Sequence, residues 1–123
     1  MIVKGTVVRG DGRGRGLGWP TANIAVPDDF AAADGVYAAR VKIDGESGTF
    51  AAMANLGRKP TFGGGGDRVL ELHLFDFEGD LYGREISAEL VRHIRPERKF
   101  GNPTALRAQI AEDRKSIEKI LCI

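Results

Sequence analysis

The sequence predicts a mainly β domain, an antiparallel barrel or a sandwich, that ends in one α-helix. About six segments are rich in β-branched residues or alternate between apolar and polar residues, and turn signals separate them. Helical spacing is absent between these segments and begins only after Pro103, which argues against a parallel α/β sheet. In a chain of 123 residues, a closed sheet plugged by one helix is an economical way to cover sheet edges.

The first three predicted strands come before a hairpin signal at Asp44-Gly45. Residues 2–9 are β-branched and lead into a glycine-rich stretch. Residues 24–26 form a short second strand, and Pro27 begins the turn that ends it. Residues 36–43 alternate well. The predicted apolar face of this third strand consists of Tyr37, Ala39, Val41 and Ile43.

Three more strands are predicted at residues 49–55, 69–77 and 85–94. The strand at 69–77 is the strongest of them, because alternate leucines form one of its faces. These leucines are Leu70, Leu72 and Leu74. Four consecutive glycines, residues 63–66, are interpreted as a hairpin tip.

A single helix is predicted from Pro103 to about Leu121. Asn102 is a good N-cap residue, and proline is favoured at the first helical position. An apolar stripe at helical spacing follows, made of Leu106, Ile110, Ile117, Ile120 and Leu121. Asp113 interrupts this stripe, so we expect it to have a partner or to lie at the edge of the stripe.

Composition narrows the class of protein. The length is that of one domain, and we expect a single domain over residues 1–123. The net charge of +1 is not the clearly basic charge that is usual for a nucleic-acid surface. The longest uncharged run, residues 16–27, contains two prolines and is too short to cross a membrane. One cysteine, Cys122, excludes an internal disulfide and, without a signal-peptide pattern, favours the cytoplasm.

Residues 10–23 carry the clearest sign of a ligand. Glycines at alternate positions let the backbone approach a ligand closely, and Arg13 and Arg15 can face phosphate oxygens. In the Pro-Thr-Ala-Asn segment, Thr21 and Asn23 are two residues apart and share one side if the chain is extended. Their oxygens suit a hard cation such as Mg²⁺. The pattern predicts a loop over a polyphosphate that ends in a metal site.

Other interpretations of this stretch stay open. Gly-Arg repeats also occur in flexible linkers and in sequence-tolerant contacts with RNA, and the Pro-Thr-Ala-Asn segment could form only a turn. The Walker A pattern is absent from the sequence. A Gly-x-Gly start at Gly10 leads to Pro20 rather than to a helix, so no dinucleotide-binding βαβ unit is predicted.

Glu71 is the carboxylate that we single out for chemistry. It lies in the middle of its predicted strand, on the face away from the leucines, and a carboxylate on a rigid strand can act as a general base. The alternative is an ordinary solvated polar face. His73 shares this face and could be a second polar group of the site, but the preferred interpretation is a surface histidine. Two histidines and one distant cysteine do not make a zinc site.

A basic cluster precedes the predicted helix. It consists of Arg95, Arg98 and Lys99 in the irregular segment 94–100. Surface charge beside a helix is the commonest situation of Lys and Arg. Contact with a polar or anionic ligand is the alternative interpretation.

Together these segments resemble the riboflavin kinase (flavokinase) family. The matching motifs occur in the family's order and cover nearly the whole chain. They are Val7-Val8-Arg9-Gly10, Gly12-Arg13-Gly14, Leu17-Gly18-Trp19-Pro20-Thr21-Ala22-Asn23, Gly35-Val36-Tyr37, Asn55-Leu56-Gly57, Pro60-Thr61, Leu70-Glu71-Leu72-His73, Leu81-Tyr82-Gly83 and Ile94-Arg95-Pro96-Glu97-Arg98-Lys99-Phe100. The Pro-Thr-Ala-Asn segment together with the Glu-x-His strand is specific. Trp19, where a smaller apolar residue is usual, and the four-glycine run are departures from the pattern.

The resemblance implies a six-stranded antiparallel Greek-key barrel with a C-terminal helix. It also implies Mg²⁺-dependent transfer of the γ-phosphoryl group of ATP to the 5′-hydroxyl of riboflavin, which yields FMN and ADP. Carried over by position, four residues match nucleotide contacts: Gly10, Arg15, Leu74 and Tyr82. Thr21 and Asn23 match the Mg²⁺ ligands, and Glu71 matches the catalytic base. The flavin-contacting segment is matched by Arg95, Arg98 and Phe100.

Many bacterial relatives carry an upstream adenylyltransferase domain that makes FAD from FMN, and no motif here corresponds to it. We therefore expect either a stand-alone, monomeric kinase or the kinase domain of a longer FAD synthetase. The expected partners are riboflavin or FMN and ATP or ADP, without nucleic acid or membrane. The alternatives are a barrel that binds flavin or nucleotide without turnover and a small RNA-contacting barrel, against which the near-neutral charge argues.

Overall fold

Six antiparallel strands and one helix make up the part of the chain that the structure, a computed structural model, describes. That part comprises residues 1–8, 21–60, 66–77, 79–98 and 100–123, without the side chains of residues 59, 60, 66 and 67. The strands are β1 (Ile2–Thr6), β2 (Thr21–Ala25), β3 (Gly35–Ile43), β4 (Phe50–Pro60), β5 (Gly66–Leu74) and β6 (Glu85–Arg95). The helix, α1, spans Pro103–Leu121.

The strands form a nearly closed Greek-key barrel. Their order in the described sheet is β1-β6-β3-β4-β5-β2, with antiparallel pairing throughout. β3, β4 and β5 are consecutive neighbours, and β6 returns to lie beside β3, which is the Greek-key arrangement. At the closing edge, the backbone N–H of Val8 donates to the carbonyl oxygen of Asn23 over 2.8 Å. Gly5 allows this approach, since a Cβ there would lie 2.5 Å from Ile24 Cγ2.

The bounds of β2 decide how the Pro-Thr-Ala-Asn segment is arranged. The strand begins at Thr21, three residues before the predicted start, and pairs with β5 from that residue onward. The segment therefore leads directly into a strand, and the interpretation as only a turn is wrong. β1 ends at Thr6, and beyond it Val8 forms a single bridge with Asn23.

The β4–β5 hairpin is longer than its sequence predicts. Its ladder runs from the pair Ala52–Leu74 to the pair Pro60–Gly66. Gly66 therefore lies in a strand rather than in the tip, because backbone hydrogen bonds continue the ladder past the residues that strand propensity marks. The rest of the predicted tip, residues 61–65, lies outside the described residues.

The barrel is filled by its own side chains. The leucines of β5 point inward and are at most 1% exposed, as their alternation predicts. The predicted apolar face of β3 joins the same core. Other members of this interior core are Val3, Ala22, Ile24, Ala52, Ala54, Leu56, Ile86, Ala88 and Leu90.

α1 lies on the outside of the barrel and does not plug it, so that expectation is wrong. Alternate residues of β3 and β4 also present an apolar outer face, whereas the interior cluster is formed by residues of the barrel itself. The helix stripe packs there in a second buried cluster, formed by Val36, Ala38, Met53, Phe75, Ile110, Ile117 and Leu121. The predicted start of the helix is confirmed, because Asn102 Oδ1 accepts from the backbone N–H of Ala105 over 2.8 Å.

A buried arginine fixes the connection between β2 and β3. Arg68, 7% exposed, donates from Nε to Asp34 Oδ1 over 3.1 Å and from Nη1 to the Phe30 carbonyl over 2.6 Å. Its Nη2 also donates to the carbonyl of Ala32. Nearby, burial raises the pKa of the Tyr37 hydroxyl, an effect that the Arg68 charge opposes and the Asp34 charge reinforces. These contacts anchor the chain that follows β2.

Candidate active site

Glu71 lies at the centre of a row of polar residues on the outer surface of the barrel. In the sheet register it pairs with Asn23 of β2 on one side and with Asn55 of β4 on the other. Directly paired residues project to the same face of a sheet. Because Leu70 and Leu72 on either side of Glu71 point into the barrel, all three polar side chains point outward.

The next outward-facing position along β5 is His73. It pairs with Thr21 on β2 and with Met53 on β4. Its Nε2 lies 3.2 Å from Glu71 Oε1. We call the set formed by Thr21, Asn23, Asn55, Glu71 and His73 the polar patch.

Two members of the polar patch are buried, and the other three are half-buried. Asn23 and His73 are each 5% exposed, and the Glu71 side chain is 13% exposed. The interpretation of His73 as a surface histidine is therefore wrong, and Glu71 does not belong to a solvated face. Strand alternation shows which face a residue occupies, but it does not show what covers that face.

Two buried polar atoms of the patch lack hydrogen-bond partners among the described residues: Asn55 Oδ1 and His73 Nδ1. Buried polar groups are nearly always paired in folded proteins, so such atoms need an explanation. A surface built to receive a polar ligand provides one.

Thr21 and Asn23 offer donors that fit Mg²⁺. Hydroxyl and amide oxygens are hard ligands, and the carboxylate of Glu71 is the register neighbour of Asn23. The described residues contain no group of three or more His, Cys, Asp or Glu that could hold a metal ion. Mg²⁺ usually binds through few protein ligands and completes its shell with water and substrate phosphates. The donor set therefore suits a cation shared with a phosphate ligand.

The end of β6 is held against α1 by an ion pair between Arg95 and a buried carboxylate, Asp113. Arg95 contacts both oxygens of Asp113, with Nη2 2.8 Å from Oδ2 and Nε 3.1 Å from Oδ1. Gln109 Nε2 also donates to Asp113 Oδ1 over 3.0 Å. Asp113 is 2% exposed, so the expectation that it needs a partner is confirmed.

Phe100 has two guanidinium groups within cation–π distance of its ring. Arg98 lies 4.7 Å and Arg95 5.8 Å from its ring centroid. Arg98 Nη2 also donates to Gln109 Oε1 over 3.0 Å. Arg95 is thus a packed and paired residue rather than a flanking surface charge, whereas Lys99 lies outside the described residues.

This segment runs along the same surface as the polar patch. Val36 of β3 pairs with Asn55 on one side and with Arg95 on the other, so the row that contains Glu71 continues to β6. The Glu97 carboxylate lies directly over Gly57, where a Cβ would collide with it. The residues that match a flavin-contacting segment therefore lie beside the row that contains the candidate base.

Of the four predicted nucleotide contacts, the structure describes only Leu74 and Tyr82. Leu74 points into the barrel, opposite to Glu71, and is 1% exposed, so a ligand could meet only its backbone. Tyr82 is 52% exposed in the β5–β6 connection, where its backbone N–H donates to Asp80 Oδ1 over 2.9 Å. Gly10 and Arg15 lie outside the described residues.

The sequence named Asn55 only as part of a family motif, without a role, and the preferred interpretation of His73 was wrong. Alternation with Ala54 and Leu56 places Asn55 on the outer face, and this was the available signal. Its pairing with Glu71 follows from the register of the long hairpin, which no local pattern encodes.

Comparison with known families agrees with this geometry. The riboflavin kinase (Flavokinase) family model matches residues 1–121. The chain belongs to the riboflavin kinase family. It is 40% identical over 111 residues to the bifunctional riboflavin kinase/FMN adenylyltransferase of Listeria monocytogenes, covering 89% of this chain and 35% of that protein. The Escherichia coli K12 protein of the same name is 42% identical over 113 residues, which cover 92% of this chain and 36% of that protein.

Solved structures show the same fold. A Streptococcus pneumoniae chain named a macrolide-efflux protein has a TM-score of 0.82 and 36% identity, covering 95% of this chain and 38% of that one. Riboflavin kinase from Trypanosoma brucei has a TM-score of 0.67 and 23% identity, covering 98% of this chain and 78% of that one. This chain thus spans about a third of the length of the bifunctional relatives (35% and 36%). Within its described residues, no helix is both long and apolar enough to cross a bilayer.

Proposed function

We propose that this chain transfers the γ-phosphoryl group of ATP to the 5′-hydroxyl of riboflavin, giving FMN and ADP. One observation carries the proposal within this family: Glu71 and Asn23 are direct register neighbours in a buried polar patch on the outer face of the barrel. A candidate base and a candidate metal ligand, remote in sequence, thus share one site. We also propose that the protein works in a reducing compartment, the cytoplasm, because its sequence has a single cysteine.

Glu71 serves as the general base in the proposed reaction. Its carboxylate accepts the proton of the ribityl hydroxyl, whose oxygen forms a bond to the γ-phosphorus as the bond to the ADP oxygen breaks. Thr21 and Asn23 would hold Mg²⁺, which when bound neutralises negative charge on the phosphate oxygens. Burial of the patch limits the access of water, which would otherwise compete as the phosphoryl acceptor.

The two substrates occupy different segments in this proposal. The glycine-rich stretch, through Gly10 and Arg15, contacts the nucleotide, together with Tyr82 and the backbone at Leu74. Arg95, Arg98 and Phe100 contact the flavin. An aromatic ring with guanidinium groups against it presents flat surfaces, on which a planar ring system can stack.

The direct test incubates the purified chain with riboflavin, ATP and Mg²⁺ and separates the flavins by chromatography. We expect new FMN in amounts that match the ADP formed, and its loss when Mg²⁺ is chelated. No FMN from folded protein at saturating substrates would overturn the proposal. Binding of riboflavin and ATP without turnover would instead support the non-catalytic binding barrel.

A further inference from the structure

We propose that His73 is a positioning residue that orients the Glu71 carboxylate through a hydrogen bond from its Nε2–H. The inference rests on the proposed function, because it assigns Glu71 the role of base. Nε2 of His73 lies 3.2 Å from Glu71 Oε1. Since an ionised carboxylate can only accept hydrogen bonds, this contact requires the proton on Nε2.

The other ring nitrogen supports the same tautomer. Nδ1 is buried and has no hydrogen-bond partner among the described residues. With the proton on Nε2, Nδ1 is an unpaired acceptor. The opposite tautomer would bury an unpaired N–H donor and place a lone pair against the carboxylate, so it loses a hydrogen bond and adds repulsion.

The fold holds the histidine ring firmly enough to orient its neighbour. His73 lies on the middle strand of the β2–β5–β4 set, between Thr21 and Met53, and is 5% exposed. Glu71 and His73 are two residues apart on one strand, so their side chains project to the same face. A ring fixed by neighbours on both sides can keep one carboxylate oxygen engaged and thereby fix the carboxylate plane. A base is effective only when it is placed within hydrogen-bond reach of the proton that it accepts.

Three substitutions separate positioning from simple space filling. In His73→Gln the amide nitrogen takes the approximate place of Nε2 and can donate to Glu71. In His73→Asn the amide nitrogen lies nearer the place of Nδ1, and His73→Leu provides bulk without a donor. Met53→Leu, at the register partner of His73, is the matched control because it alters the packing and leaves the hydrogen bond.

We expect His73→Leu and His73→Asn to lower kcat about tenfold to hundredfold, as the loss of partners that orient ligand side chains does in metal sites. KM for riboflavin and for ATP should change by less than about threefold, and His73→Gln should recover most of kcat. Met53→Leu should keep kcat within about twofold of the unsubstituted chain, because the swap nearly conserves volume. In a Glu71→Gln background, His73→Leu should have no further effect on kcat, since the two residues act as a unit.

Equal kcat values for the Gln and Leu variants would overturn the inference, as would kcat losses that follow the loss of folding stability. A second readout does not depend on turnover. Imidazole ¹⁵N spectra distinguish the two tautomers, and the two histidines can be assigned with a His93→Gln variant. We expect the Nε2–H tautomer at His73. An Nδ1–H tautomer would overturn the positioning role even if FMN is formed, whereas absence of FMN with the expected tautomer would count against the proposed function alone.

Discussion

Two regions of the outer barrel surface are buried, and the same strands build both. The polar patch takes Asn55 from β4 and His73 from β5, whereas the region under α1 takes Met53 from β4 and Phe75, the residue that follows β5. Positions two residues apart on the same face thus belong to opposite kinds of surface. The region under α1 buries apolar groups against a helix, while the polar patch buries polar groups and leaves Asn55 Oδ1 without a partner among the described residues.

The two buried regions contribute differently: the region under α1 contributes to stability, and the polar patch contributes to function. Burial of apolar surface under α1 stabilises the fold, because it removes that surface from water. Burial of an unpaired polar atom costs free energy, so the polar patch gains its value from a ligand rather than from folding. Substitutions in the polar patch should therefore affect chemistry more than stability, and substitutions under α1 should do the reverse.

The largest expected effect is that of Glu71→Gln in the polar patch. It removes the proposed base and keeps the shape of the side chain, so kcat for FMN formation should fall about 10²- to 10⁴-fold. The free energy of unfolding should change by less than about 1 kcal/mol, because no cavity is created. FMN formation and urea unfolding measure the two quantities. Near-normal turnover, with riboflavin still bound, would show that Glu71 is not the base.

A second effect arises where the flavin segment meets α1. Arg95→Met leaves Asp113, whose side chain is 3% exposed, without its cationic partner. We expect the free energy of unfolding to fall by about 3 kcal/mol, as in broken buried ion pairs. The double variant Arg95→Met/Asp113→Leu should regain most of that stability. Its KM for riboflavin should nevertheless be higher than that of the unsubstituted chain, because Arg95 is missing from the proposed flavin site. A double variant with normal KM would remove Arg95 from the flavin site.

The Mg²⁺ assignment predicts a third effect. Removal of both side chains in Thr21→Ala/Asn23→Ala should raise the Mg²⁺ concentration for half-maximal FMN formation about 10- to 100-fold, the equivalent of losing one or two contacts to a charged group. The measurement is a Mg²⁺ titration at saturating ATP, with thermal unfolding as the check on folding. An unchanged Mg²⁺ requirement in the folded variant would contradict the assignment.

The smallest effect tests the apolar side of the comparison. Ile117 of α1 is completely buried against the outer face of the barrel, and Ile117→Val should lower the free energy of unfolding by about 0.5–1.5 kcal/mol. Turnover per folded molecule should be unchanged. Val91→Ala is the control, because Val91 is 38% exposed and should lose less than about 0.5 kcal/mol. A clear loss of kcat per folded molecule in Ile117→Val would show that the two regions are coupled.

Much of the fold was predictable because its signals are local. The inward face of β5 follows from leucines at every second position, and the start of α1 follows from Asn102 and Pro103. The partner of Asp113 could be expected but not identified. Arg95 lies 18 residues earlier in the sequence, and only the packing of α1 beside the end of β6 brings the two together.

Two pairings could be deduced before any folding was known: Glu71 and His73 share one face of a strand, and Thr21 and Asn23 share one face of another, because side chains alternate along any strand. The folded barrel was needed to show that these faces meet, that Asn55 completes the row, and that Asn23 and His73 are buried there. The physical reason is that register and cover depend on hydrogen bonds and packing between segments far apart in the chain. A shift of one residue in the β2–β5 register would turn Asn23 toward the interior and place Ala22 or Ile24 beside Glu71 instead.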